Sequence, residues 1–112
     1  MSHEQLNAYH VMWILVFFDL PTNSKTERKK ASQFRNHLLK DGFSMLQFSV
    51  YIRHCASLQN TTVHVKHVKQ VVPSKGKISI LLITDKQYGD IVTYHGSKIK
   101  DNPDIPRQLE LF

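Results

Sequence analysis

The sequence contains a single cysteine, Cys55, among its 112 residues. One thiol cannot form an intrachain disulfide or a cysteine-rich zinc site, and such scarcity is typical of proteins from a reducing compartment. The longest apolar run, residues 11–18, has the length of a buried strand and is far shorter than the ~20 residues that span a membrane. Residues 1–10 lack the basic and apolar pattern of a secretory signal. We therefore expect a cytoplasmic protein without a membrane anchor.

Acidic residues are also few, with 9 Asp and Glu against 15 Lys and Arg, which gives a net charge of +6. A basic excess on a small domain indicates an anionic partner, and nucleic acid is the most common one. The alternative is that the charge serves solubility alone. Hydrophobic residues make up 41% of the chain, which is enough for a packed core, and the length suits one domain.

Hydrophobic periodicity predicts the order strand, helix, strand, helix, strand, strand. The predicted strands are 12–18, 44–53, 77–84 and 91–94, and the predicted helices are 24–40 and 57–72. Ser24 and Glu27 form a capping box at the start of the first helix, whose buried stripe is Ala31, Phe34 and Leu38. The order predicts an α+β fold, a ferredoxin-like split βαβ sandwich with an antiparallel sheet and both helices on one face.

This ferredoxin-like domain is predicted over residues 12–94. Residues 1–11 are interpreted as an N-terminal extension, and residues 95–112 as a linker that ends in a strand over 107–112. That strand offers Gln108, Leu109, Leu111 and Phe112 for pairing with a dimer mate or another partner, and a frayed terminus is the alternative.

Alternation within 44–53 assigns its residues to two faces of the sheet. We predict that one set faces a core, namely Leu46, Phe48, Val50 and Ile52. The more polar face is predicted to carry Met45, Tyr51 and Arg53, and Trp13, Phe17 and Phe18 are predicted core residues. Because a sheet face without helices must meet something, and a second copy is the simplest partner, we expect a homodimer.

Four segments, in order and spacing, resemble a known family. They are "MWILVFFDLP", "SKTERKKASQFRNHLLKDGF", "MLQFSVYIR" and "VVPSKGKISILLITDKQYGDI". They are similar to the small CRISPR-associated subunit of spacer acquisition, the second core Cas protein, and most of all to members from type II loci. The resemblance covers about residues 12–94 and includes the closing "QLELF", whereas residues 1–11 depart from it.

The resemblance implies a ferredoxin-like homodimer whose last strands extend the partner's sheet. It implies that Asp19, which matches an aspartate ending the first strand, lies near the two-fold axis, where two such carboxylates can share Mg²⁺. The family is described as a magnesium-dependent endonuclease on RNA or DNA. It is also described as a bridge that holds two dimers of the CRISPR integrase subunit on a DNA duplex. A toxin-like, metal-dependent endoribonuclease with the same fold is the alternative function.

The residues themselves leave the role of Asp19 open. A carboxylate suits the hard Mg²⁺ ion, and a bound metal can polarise a phosphoryl oxygen and activate water. One carboxylate is a poor site, however, and aspartates at turns often cap backbone N–H groups instead. With the family in view, we expect Asp19 to be both the metal ligand and the catalytic residue.

Basic residues near the predicted helix start and strand ends form the candidate nucleic-acid surface. They are Lys25, Arg28, Lys29, Arg53, Lys75 and Lys77. The alternative is an ordinary solvated charged face. His64 and His67 are three residues apart on the second predicted helix, but the sequence offers no third ligand nearby, so we do not expect zinc there.

Overall fold

The computed structural model of the chain describes residues 11–100. The predicted strand 107–112, and all of the predicted extension except residue 11, lie outside the described residues. The helices are α1 (Lys25–Lys40), α2 (Leu58–Gln70) and α3 (Asp85–Gly89). The strands are β1 (Met12–Asp19), β2 (Ser44–Gln47), β3 (Val50–Cys55), β4 (Lys77–Thr84), β5 (Thr93–His95) and β6 (Lys98–Lys100).

Four strands form one antiparallel sheet in the order β2-β3-β1-β4. With α1 after β1 and α2 after β3, the chain follows the β-α-β-β-α-β order of the ferredoxin-like fold, which confirms the predicted fold class. One predicted member of the sheet was wrong: the fourth strand of the sheet is β2, and not the strand predicted over 91–94. The strand predicted over 91–94 overlaps β5 only at residues 93 and 94, and β5 pairs with β6 in a separate ribbon where a linker was expected from residue 95 onward.

The strand predicted over 44–53 is two strands joined by a turn at Phe48 and Ser49. Ser49 has φ 62°, a left-handed conformation that is uncommon for a residue other than glycine. The Ser49 carbonyl accepts a hydrogen bond of 3.1 Å from the Phe18 N–H, so the turn is tied to the end of β1. Because neither glycine nor proline stands at this point, the local sequence does not predict the turn.

Both α1 and α2 pack on one face of the sheet, as predicted. Their buried side chains join those of β1 in a core of Ile14, Val16, Phe18, Phe34, Leu38 and Val68. The predicted capping box is confirmed, because the Ser24 hydroxyl accepts from the Glu27 N–H at 3.1 Å and the Glu27 carboxylate accepts from the Ser24 N–H at 2.9 Å. The apolar stripe and the cap together fix the position of α1 on the sheet.

The predicted grouping of Met45, Tyr51 and Arg53 on one face of the sheet is found, but that face lies beneath the helices, so its assignment to the helix-free side was wrong. Tyr51 is buried in the core beneath the helices, and Arg53 and Met45 lie on this same face by register. Val50 and Ile52 face the opposite side of the sheet and are buried there, as predicted for residues that face a core, whereas Leu46 is partly exposed and Phe48 at the turn is 85% exposed.

Successive β1 side chains point alternately toward the helices and toward the helix-free face of the sheet. Trp13 and Phe17, both predicted as core residues, lie on the helix-free face, and Phe17 is 37% exposed there. Trp13 is only half-buried there, where its ring stacks on Tyr88 of α3. Of the three aromatics predicted as core, only Phe18 therefore lies in the core beneath the helices. Within residues 11–100, no helix has the length and apolar character needed to cross a membrane.

Candidate functional site

Asp19 is the last residue of β1 and lies on the helix-free face, as Phe17 does. Its cross-strand partner is Lys77, and both side chains border an open depression that Ser49 and Ser79 also line. The Asp19 carboxylate is exposed and makes no hydrogen bond or ion pair with another described residue. The turn-capping role that was the alternative for Asp19 is therefore not found between residues 11 and 100, and the carboxylate oxygens are open to a ligand.

The loop before β4 approaches the end of β1 closely. Gly76 has φ +96°, and a Cβ at this position would lie 2.7 Å from the Asp19 carbonyl oxygen and 2.8 Å from a Leu20 methyl carbon. Only glycine fits both the backbone conformation and the space. The absence of a side chain at Gly76 therefore brings Lys75 and Lys77 alongside the strand end that presents Asp19.

The start of α1 lies at the same end of the domain. Lys75 lines a small cavity with Leu20, Ser24, Glu27 and Lys30, so the loop before β4 and the first turns of α1 are neighbours. The hydrogen bond from the Ser24 N–H is the main cause that lowers the pKa of the Glu27 carboxyl, and the charge of Lys75 adds to it. A helix N-terminus and several lysines thus share one end of the molecule with Asp19.

The remaining predicted basic residues of α1 lie on this end as well. Lys25 and Lys29 are exposed in the first turns of α1. Arg28 is also exposed, but one of its Nη atoms donates to the Thr22 carbonyl at 3.1 Å, which holds the guanidinium over the loop between β1 and α1. Five of the six predicted cationic residues are therefore grouped with Asp19.

Arg53 is the sixth, and the structure does not bring it to this group. It lies opposite Ile14, toward the other end of the sheet. Its Nε donates to the Asp41 carbonyl and its Nη1 to the His54 carbonyl, both at 2.7 Å. The guanidinium is thus engaged by protein acceptors that join β3 to the end of α1. Its predicted contact with nucleic acid stays a prediction.

A second cluster was missed by the sequence reasoning. Asp41, directly after α1, lies between the two histidines of α2, with Oδ2 2.8 Å from His64 Nδ1 and Oδ1 2.8 Å from His67 Nδ1. The expectation that these histidines lack a third partner was wrong. Asp41 is 23 and 26 residues away along the chain, so no local spacing signals the contact.

Burial would by itself raise the pKa of the Asp41 carboxyl. The hydrogen bonds and charges of His64 and His67 outweigh it and lower the pKa below its usual value. The two imidazoles therefore stabilise the ionised form of the Asp41 carboxyl.

Comparisons with known proteins agree on one family. Residues 12–91 match the model of the family described as "CRISPR associated protein Cas2". A protein of Flavobacterium psychrophilum named "CRISPR-associated endoribonuclease Cas2" is 52% identical over 110 residues, which cover 98% of this chain and 96% of that protein. Proteins of the same name from Parvibaculum lavamentivorans and Paracidovorax avenae are 50% and 44% identical, over 90% and 96% of this chain and 100% and 99% of their own lengths.

Proposed function

The chain belongs to the CRISPR associated protein Cas2 family, and on that premise we propose that it is a Mg²⁺-dependent endonuclease that acts as a homodimer in CRISPR spacer acquisition. Its place of action is the cytoplasm, where the free, buried Cys55 stays reduced. The relatives are named as endoribonucleases, which favours RNA as the strand that is cleaved. The family membership favours this function over that of a toxin-like endoribonuclease.

The observation that carries the proposal is the open carboxylate of Asp19 at the end of β1. Its hard oxygen donors fit Mg²⁺, which prefers one or two carboxylates together with water. When bound, the ion supplies charge that polarises a phosphoryl oxygen and favours ionisation of a water. Asp19 would hold the ion, while the ammonium group of Lys77 across the ladder attracts the phosphate and the Ser49 hydroxyl can donate to a phosphoryl oxygen.

A single protomer offers one such carboxylate, so the proposal needs a second copy. The helix-free face supports this, since Phe17 and Leu81 on it are 37% and 48% exposed and would gain from burial. Asp19 lies at the end of the same face. A homodimer formed through this face would bring two Asp19 carboxylates toward the interface. In the proposal, the segment 107–112, which the sequence predicts to be a strand, would then pair with the partner or with the integrase subunit.

The bridging role on a DNA duplex is supported by the distribution of charge. Lys25, Lys29, Lys75 and Lys77 are exposed at one end of the protomer, next to the N-terminus of α1. Exposed cations and a helix N-terminus suit contacts to a phosphate backbone without base readout. A dimer would carry two such ends, which is what holding a duplex between integrase subunits requires.

The experiment compares Asp19→Asn with Asp90→Asn, an exposed aspartate whose side chain pairs with Lys86 one turn earlier in the chain. Labelled single-stranded RNA and duplex DNA are incubated with each protein in Mg²⁺ or in a chelator. We expect Asp19→Asn to lower Mg²⁺-dependent cleavage by about 100-fold or more, while the control is unchanged. Cleavage by Asp19→Asn at the rate of the control would overturn the catalytic assignment.

Light scattering on the same samples tests the dimer, and we expect twice the protomer mass for both variants. Spacer acquisition in cells then separates the two roles. Loss of acquisition by Asp19→Asn with the integrase complex still assembled would argue against a purely bridging function. Unchanged acquisition without cleavage would assign the biological role to bridging alone.

A further inference from the structure

The cluster of Asp41, His64 and His67 lies at the far end of α1 from the Asp19 group. The 16 residues of α1 span about 24 Å, so neither group is part of the other's surroundings. The proposed endonuclease mechanism does not use these three residues. Their ligand atoms nevertheless all lie within 4.8 Å of one another.

Each side chain of the cluster is held in place by the fold. His64 and His67 are three residues apart on α2 and therefore share a face of that helix. Asp41 ends α1, where its N–H donates to the His37 and Leu38 carbonyls and its own carbonyl accepts from Arg53 Nε at 2.7 Å. The backbone on both sides of the Asp41 carboxylate is thus fixed, so the three donors are already assembled.

The cluster is also accessible from one side. The His64 side chain is 12% exposed, whereas that of His67 is 46% exposed. A surface cavity of about 280 Å³ borders Asp41 and His67, and His37 and Val71 form part of its wall. An ion can therefore reach the donors from solvent, and the cavity has room for a water molecule at an additional coordination position.

We propose that Asp41, His64 and His67 form a binding site for a late first-row divalent cation, with Zn²⁺ as the best fit. Two imidazoles and one carboxylate are a donor set that Zn²⁺ accepts, with water in the fourth position, whereas Mg²⁺ prefers an all-oxygen shell. Tetrahedral bonds of about 2.0–2.1 Å require donors about 3.3 Å apart. The present 2.8 Å contacts would therefore open by about half an ångström as the ion replaces the shared protons.

Such an ion would join the end of α1 to the middle of α2. Its expected role is structural, because the ligands come from two helices that pack on the same sheet face and none lies near Asp19. Binding to the folded state alone raises thermal stability in proportion to the logarithm of the free ion concentration.

The test uses the full chain carrying Asp19→Asn, which removes the other candidate metal ligand, after treatment with a chelator and dialysis. Calorimetric titration with Zn²⁺ should give one ion per chain, and Mg²⁺ should give no binding. His67→Gln, at a partly exposed position, should weaken Zn²⁺ affinity by about 100-fold or more, since even groups that only orient ligands cost 10–100-fold. The matched control is His95→Gln, an exposed histidine on β5.

Two outcomes overturn the proposal. One is no Zn²⁺ binding by the parent chain, and the other is an equal affinity in His67→Gln and the parent. A loss of affinity in His95→Gln as large as in His67→Gln also counts against it, since it would indicate adventitious binding. If His67→Gln fails to fold, Co²⁺ is added in place of Zn²⁺ to the chain with the unaltered cluster, and its visible absorption is measured. A site with two imidazoles and a carboxylate should give the intense absorption of tetrahedral Co²⁺. The weak absorption of the hexa-aquo ion would overturn the proposal.

Discussion

Replacing Arg53 with alanine should destabilise the fold strongly, although the residue is cationic and lies in a basic protein. The change removes two hydrogen bonds of 2.7 Å from the guanidinium to the Asp41 and His54 carbonyls, and a longer one of 3.5 Å to the Asn60 amide oxygen. A hydrogen bond that involves a charged group contributes about 1.5–3 kcal/mol. Since Arg53 is only partly buried, we take the lower part of that range and expect a loss of about 3 kcal/mol in total.

The measurement is urea unfolding followed by circular dichroism. The matched control is Arg35→Ala on α1, whose side chain donates an exposed hydrogen bond of 3.3 Å to the Ser32 hydroxyl and no other within residues 11–100, and this change should stay within about 0.5 kcal/mol. Arg53→Lys should fall between the two, because an ammonium cannot reproduce the planar fork. A loss below about 1 kcal/mol in Arg53→Ala, or one equal to that of Arg35→Ala, would refute the reasoning.

Three further predictions concern the Asp19 end of the domain. Gly76→Ala should lower the free energy of unfolding by about 2 kcal/mol or more, because of its positive φ and the clash with Asp19, whereas Gly96→Ala meets no atom within 4 Å and should cost less in the same urea assay. Lys77→Ala should reduce the salt slope of duplex affinity by about 1, and a slope identical to that of the unaltered chain would exclude a phosphate contact. Glu27→Ala should be less stable than the unaltered chain at neutral pH. This difference in stability should shrink as pH falls below 4.5, because the folded state lowers the pKa of Glu27. A difference independent of pH would contradict the capping role.

Much of the helical layer could be predicted from the sequence, because its signals are local. The capping box at Ser24 and the stripe of Ala31, Phe34 and Leu38 lie within one helix, and both were found as expected. The bounds of β4 also match the prediction. The turn at Ser49 could not be predicted, since a serine in a left-handed conformation gives no sequence signal, and two strands were therefore predicted as one. Which face of β3 lies beneath the helices depends on packing between distant segments, and that choice was wrong.

The candidate sites show the same division between local and distant information. Asp19 could be singled out because it ends an apolar strand before Pro21, and its family match adds to this. Its pairing with Lys77 depends on the register of β1 and β4, which are far apart in the sequence. The contacts of Asp41 with His64 and His67 likewise depend on how two helices pack. The sequence alone could therefore indicate Asp19 and the two histidines, whereas their partners Lys77 and Asp41 are brought to them only by the fold.

The central claim is that two Asp19 carboxylates, one from each protomer, hold a single Mg²⁺ ion. The most direct measurement is the stoichiometry of Mg²⁺ binding to the purified dimer by calorimetry, with Asp19→Asn titrated alongside. We predict one ion for every two chains, and no binding by the variant. One ion per chain, or the same binding curve for Asp19→Asn, would contradict the account.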